Sequence, residues 1–218
     1  MYKIVDMEKL GRKSVFEWFN SFSNPCYSIN IKVDVTNVIK FSKETNTSFF
    51  INFLYLVTRA LDTVDELRMR IVNNEIRLYD YINPGFTVLQ DSGLFDNVTA
   101  PYFDDYHTFY ENTHKMIEIV KHKGPRKDTY NDLKTYQEYY MTCLPWLEYE
   151  SMTHPIPNND KESASTPRIC WGKYYLDNDR YLLSFNLTVS HALVDGYASS
   201  KALNKVKEYA LNPSIILK

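Results

Sequence analysis

Between residues 27 and 35 apolar and polar positions alternate strictly: Tyr27, Ile29, Ile31, Val33 and Val35 are separated by Ser28, Asn30, Lys32 and Asp34. A period of two predicts a strand with one buried face. On either side the period lengthens to that of a helix. Val15, Phe16, Phe19 and Phe22 predict a helix within residues 11–22. Phe50, Phe53, Leu54, Val57 and Leu61 predict a second, with Thr47 or Ser48 placed to cap it. Short strands are expected at 76–80 and 85–89, and a third helix on Tyr106, Phe109, Tyr110, Thr113, Ile117 and Val120. Residues 169–175 and 181–189 read as the strands of a hairpin, joined by a polar turn at Asp177, Asn178 and Asp179. Ala198, Ala202, Leu203, Val206 and Tyr209 predict a closing helix. Helices and strands mix without regular βαβ alternation. The expected fold class is therefore α+β, a mixed β-sheet with packed helices, with residues 1–218 forming a single domain. No repeat or linker divides the chain, and the loosely composed segment 155–167 reads as a surface loop.

Composition removes function classes more than it adds them. Lys and Arg total 25 against 27 Asp and Glu, so no basic footprint points to nucleic acid or an anionic membrane. The basic run Lys121, Lys123, Arg126 and Lys127, beside Gly124 and Pro125, reads as a solvated turn. The first thirteen residues hold no apolar stretch of the signal-peptide kind, and the apolar run 49–61 is short and broken by Asn52 and Arg59. The expectation is a cytoplasmic protein. Cys26, Cys143 and Cys170 make neither a disulfide framework nor a metal-ligand spacing, so reduced thiols and no metal are expected. Eighteen tyrosines and twelve phenylalanines suit an aromatic-walled pocket, a wide interface, or an aromatic-rich core.

The stretch that carries chemistry is residues 189–197, VSHALVDGY, where a well-patterned strand ends and a helix begins. A side chain there projects from a position that a rigid sheet fixes. Strand parity puts His191 on the face opposite Ser190. An imidazole, with an ordinary pKa of about 6.5, can accept the proton of an attacking alcohol.

His191, Asp195, Gly196 and Tyr197 spell H-x-x-x-D-G-[FY], and here the chain resembles the chloramphenicol acetyltransferase family. The resemblance runs along nearly the whole chain. Arg12 with Phe16 looks like the family's N-terminal helix, and Pro25-Cys26 opens the first long strand. Residues 65–69 with Ile71, then Pro84, Phe86, Thr87 and Val88, look like its middle signature. Pro145-Trp146 and Gly172-Lys173-Tyr174 look like the later ones.

The resemblance implies an O-acetyltransferase that moves an acetyl group from acetyl-CoA to a small hydroxylated acceptor, chloramphenicol first. It implies His191 as general base, its other ring nitrogen held by a backbone carbonyl, and Thr142 as hydroxyl donor to the oxyanion. Asp195 and Arg12 would form a supporting buried ion pair. Trp18, Phe19, Cys26 and Phe95 would wall the acceptor pocket, and Trp146, Lys173 and Tyr174 would line the acetyl-CoA end. A homotrimer with its active sites between subunits is implied as well.

Four departures stand out. Ser190 replaces the first of two usual histidines and Cys170 a usual threonine. Phe19 replaces a tyrosine, and the segment between Trp146 and Ile169 is longer, with His154, Pro155 and Pro157. They keep open the same chemistry on another alcohol or a non-catalytic trimeric ligand-binding protein, and the shared H-x-x-x-D-G keeps open the core of a dihydrolipoamide acyltransferase. That last family normally carries a lipoyl domain and linker ahead of its core.

Overall fold

A computed structural model describes residues 1–124 and 136–218; Pro125, Arg126 and Lys127 of the basic run lie outside the described residues. Along the chain come β1 (Tyr2–Ile4), α1 (Lys13–Asn20), β2 (Cys26–Asp34), α2 (Thr36–Thr45), α3 (Phe49–Leu61) and a single turn, α4 (Asp65–Arg68). Four strands follow, β3 (Met69–Val72), β4 (Glu75–Tyr79), β5 (Asn83–Leu89) and β6 (Phe95–Thr99), and then α5 (Tyr106–His122). The last elements are β7 (Glu138–Leu144), the short α6 (Lys161–Ala164), β8 (Arg168–Gly172), β9 (Tyr175–Asp177), β10 (Arg180–Ser190) and α7 (Gly196–Leu211). The main sheet runs β2-β10-β8-β7-β5-β6, with β9 paired to β10, and β1-β4-β3 form a small second sheet. Because β7 is parallel to both β5 and β8 while the other pairings are antiparallel, the sheet is mixed and the class is α+β.

The two faces of the main sheet differ in chemistry. One carries Val33, Leu183, Phe185, Leu187, Val189, Ile169 and Trp171, all buried. Helix α3 packs there, with the Phe53 ring 5.4 Å from Trp171 and 6.2 Å from Phe185. Enclosure on nearly all sides explains why α3 is apolar around its circumference rather than in one stripe. Ser48 caps it, accepting from the Ile51 amide. The opposite face carries polar residues in register across the strands: Asn30 opposite Asn186, Asn186 opposite Cys170, and Cys170 opposite Thr142.

Some sequence expectations needed correction. The first helix is only Lys13–Asn20, and none of its residues is buried. The strand at 169–175 breaks after Gly172 because another backbone crosses it: Lys173 N donates to Leu147 O at 2.9 Å. A Cβ at Gly172 would lie 2.8 Å from that same carbonyl, so only glycine fits. The segment 155–167 is a surface loop only in its first part. Ala164, Ser165 and Thr166 are buried, and Ser165 Oγ accepts the Ile71 amide at 3.0 Å. Helix α2 and strands β1, β3, β6 and β7 were not anticipated as elements.

Candidate active site

His191 follows the last residue of β10, and its backbone amide donates to Pro25 O at 2.9 Å, which ties the turn to the start of β2. The Phe19 ring lies on the imidazole with centroids 3.9 Å apart and planes at 10°, and Tyr27 approaches at 4.9 Å and 43°. Trp18 extends this aromatic wall, 4.7 Å from Phe19. Cys26 pairs with Ser190 across the sheet, one residue before His191. Burial pushes the Cys26 thiol up to about 11 despite the Arg168 charge, so it stays a neutral thiol near pH 7. The expectation of a backbone carbonyl on the second ring nitrogen is not met by any neighbour among the described residues: Nδ1 is buried with no hydrogen-bond partner there from another residue.

Thr142 lies in β7 and lines a cleft of about 540 Å³ together with Thr87, Phe49, Phe50, Phe95, Trp146, Trp171, Lys173 and Tyr174. The two threonine hydroxyls are 3.2 Å apart. Apolar walls with a few hydroxyls and one lysine suit a ligand with a long apolar arm and a charged end. The cleft thus gathers Thr142, Trp146, Lys173, Tyr174 and Phe95, whereas Phe19 stacks on His191 with Trp18 beside it, and Cys26, opposite Ser190, lies on the sheet face turned from the imidazole. Thr87, Phe49 and Phe50 had not been picked as site residues. Alternation in β5 and the two adjacent phenylalanines that open α3 were the available signals.

These two groups stand apart in one chain. Thr142 shares a row with Asn186, and His191 lies five residues farther along β10. At ~3.4 Å per residue and ~4.8 Å per strand, that separates the two by roughly 19 Å. One chain by itself does not bring these two side chains together.

The loop carrying His191 is braced at its far end. Asp195 caps α7, its Oδ1 accepting from Ala198 N at 2.8 Å, while its Oδ2 is 3.5 Å from Arg12 Nη2. Arg12 is shared with Glu66 at 3.4 Å. The expected buried pair is a half-exposed cluster, since the Asp195 side chain is 45% exposed and that of Arg12 is 20% exposed. Water therefore screens much of its attraction.

A family model for chloramphenicol acetyltransferase matches residues 1–207. The chain belongs to the chloramphenicol acetyltransferase family. It is by that membership an acyltransferase. Chloramphenicol acetyltransferase 3 of Escherichia coli is 28% identical over 209 residues, covering 95% of this chain and 96% of that one. A solved chloramphenicol acetyltransferase superposes with a TM-score of 0.88 at 27% identity, covering 96% of this chain and all of that chain (100%). The cubic core of the pyruvate dehydrogenase multienzyme complex superposes at 0.65 with 13% identity, covering 97% of this chain and 91% of that one, a likeness of fold alone.

Within the chloramphenicol acetyltransferase fold, the departures acquire positions. Ser190 Oγ is buried without a partner among the described residues, on the sheet face turned from His191. Cys170 stands beside Thr142, its thiol pushed up to about 11 by burial. The lengthened segment straps the polar face, where Met152 O accepts from Asn186 Nδ2 at 3.1 Å. His154 lies there too, pushed down to about 4 by burial and by Arg168, and is neutral near pH 7.

Proposed function

We propose that this protein transfers the acetyl group of acetyl-CoA to a hydroxyl of chloramphenicol, with residues 1–218 acting as one catalytic unit in a homotrimer. The observation that carries this reading is the separation of His191 from Thr142 within one chain, in a family whose relatives are named for this reaction. The neighbour in a trimer supplies the missing half, so the aromatic wall around His191 faces the Thr142 cleft of the next subunit.

In that shared site the acetyl-CoA arm occupies the cleft beside Trp146, Lys173 and Tyr174, where the lysine offers a cation to phosphate. His191 takes the hydroxyl proton on Nε2 as the alcohol attacks the thioester carbonyl. The other ring nitrogen, Nδ1, then carries the proton of the neutral imidazole. Thr142 donates to the oxyanion of the tetrahedral intermediate, a role whose loss typically costs about 10²–10³-fold in rate; collapse of the intermediate breaks the C–S bond, and the CoA thiolate leaves as the thiol with the proton held by His191. Trp18, Phe19, Cys26 and Phe95 enclose the acceptor.

Thiol release from acetyl-CoA, with chloramphenicol and with a panel of other alcohols, tests the reaction and the acceptor together. Turnover with chloramphenicol, lost in His191→Ala, is the expected result. Binding of chloramphenicol without turnover would establish the non-catalytic reading instead. Co-refolding inactive His191→Ala with inactive Thr142→Ala tests the shared site, because mixed trimers regain one intact pairing of subunits. Light scattering that gives a monomer would end the two-subunit account.

A further inference from the structure

Tyr27 has no part in the roles above, yet its ring is one of two that touch His191. It is the second residue of β2, opposite Val189 on β10. Its hydroxyl lies 2.7 Å from Ser199 Oγ and 3.4 Å from Val194 O. A carbonyl only accepts, so Tyr27 donates to Val194 and the buried Ser199 donates to Tyr27. Burial, the largest influence on it, pushes the phenol's ionisation up, so it stays a neutral donor. Val194 belongs to the loop between His191 and Asp195, and Ser199 to the first turn of α7. One hydroxyl thus joins the sheet, the catalytic loop and the helix behind it.

We propose that Tyr27, through the chain Ser199–Tyr27–Val194, is a positioning residue that sets the orientation of the His191 ring. The inference rests on the reading of His191 as the base. With Nδ1 lacking a partner from another residue among the described residues, ring contacts and the loop backbone fix the imidazole. Phe19 belongs to a helix without a single buried residue and is a weak reference point on its own. Tyr27 belongs to a strand paired with β10 from Cys26 to Asp34, so it carries the rigidity of the sheet to the ring. Its hydroxyl holds the loop at the distance where that contact operates.

The test is steady-state kinetics on Tyr27→Phe, Ser199→Ala, the double variant and His191→Ala, with urea unfolding of each. Small misplacements of a reacting group cost up to about a hundred-fold, so each hydroxyl loss should lower kcat roughly ten-fold while both KM values stay within about two-fold. The double variant should be no slower than the slower single one, because both changes break the same chain. Multiplying losses, a defect in only one single variant, or losses confined to stability or KM would overturn the proposal. His191→Ala separates the levels. If it keeps full turnover, the base assignment falls. If it abolishes turnover while the hydroxyl variants keep wild-type kcat, only the role of Tyr27 falls.

Discussion

The phenyl ring of Phe19 covers one face of the His191 imidazole, 3.9 Å away and within 10° of parallel. The contact brings α1, a helix with an exposed apolar surface, onto the one histidine that the family motif singles out. Stacking of this kind limits rotation about the histidine side chain and keeps water from that face of the ring.

Phe19→Ala should therefore lower kcat, and Phe19→Tyr should not. A stacked aromatic pair is worth about 0.5–1.5 kcal/mol, which sets the expected loss at up to about ten-fold. Stability should change little, since Phe19 is only half-buried. Equal kcat values for the alanine and tyrosine variants would remove the stack from the mechanism.

For Thr142 the decisive comparison is between serine and valine. Thr142→Ser keeps the hydroxyl and should stay near wild type. Thr142→Val keeps the shape and the β-branch, loses the donor, and should drop kcat by about 10²–10³-fold with KM preserved. Thr87→Val tests whether the neighbouring hydroxyl, 3.2 Å away, orients that donor, and a loss smaller than that of Thr142→Val is expected.

Asp195 does two jobs, and exposure decides which matters more. As the cap of α7 it satisfies the Ala198 amide, a contribution of about 1 kcal/mol. As a half-exposed partner of Arg12 it adds about 0–1 kcal/mol. Asp195→Ala should thus destabilise more than Arg12→Ala does through the ion pair, and Asp195→Ser, which keeps a capping oxygen, should recover most of the loss. Thermal melts of the three variants check the order.

How far the sequence reached follows from which patterns are local. Period-two alternation at Tyr27 to Val33 and the helical period of α3 are written in neighbouring residues, and both appear as elements. The break at Gly172 is not local, because it depends on Leu147 crossing the strand, and nothing near residue 172 announces that approach. The motif around His191 was legible as a motif, whereas the contacts that hold it come from Phe19 and Tyr27, far away in sequence. Tyr27 in particular reads as one more apolar strand residue until α7 is placed over it. The Arg12–Asp195 pair is less buried than expected, since a family resemblance gives partners but not solvent exposure.

Asp62, just past the end of α3, makes a prediction about pH that involves none of the site residues. Its Oδ1 accepts from the buried Tyr139 hydroxyl at 2.8 Å and its Oδ2 from the Ile82 amide at 3.2 Å. Burial pushes this carboxyl up to about 6, against the pull of Tyr139, Ile82, Arg68 and Arg59. The folded chain therefore holds this proton more tightly than the unfolded chain, whose ordinary value is 3.8. Its contribution to stability is greatest below that ordinary value and is lost as pH climbs through about 6. Because the residue as a whole keeps some contact with solvent, the loss is set at ~2 kcal/mol, below the full value of the shift. Asp62→Asn keeps an oxygen for Tyr139 and cannot ionise. Urea unfolding of both proteins across this range should show the wild type falling relative to the variant as pH rises, and parallel curves would mean that the carboxylate is better solvated than its surroundings imply.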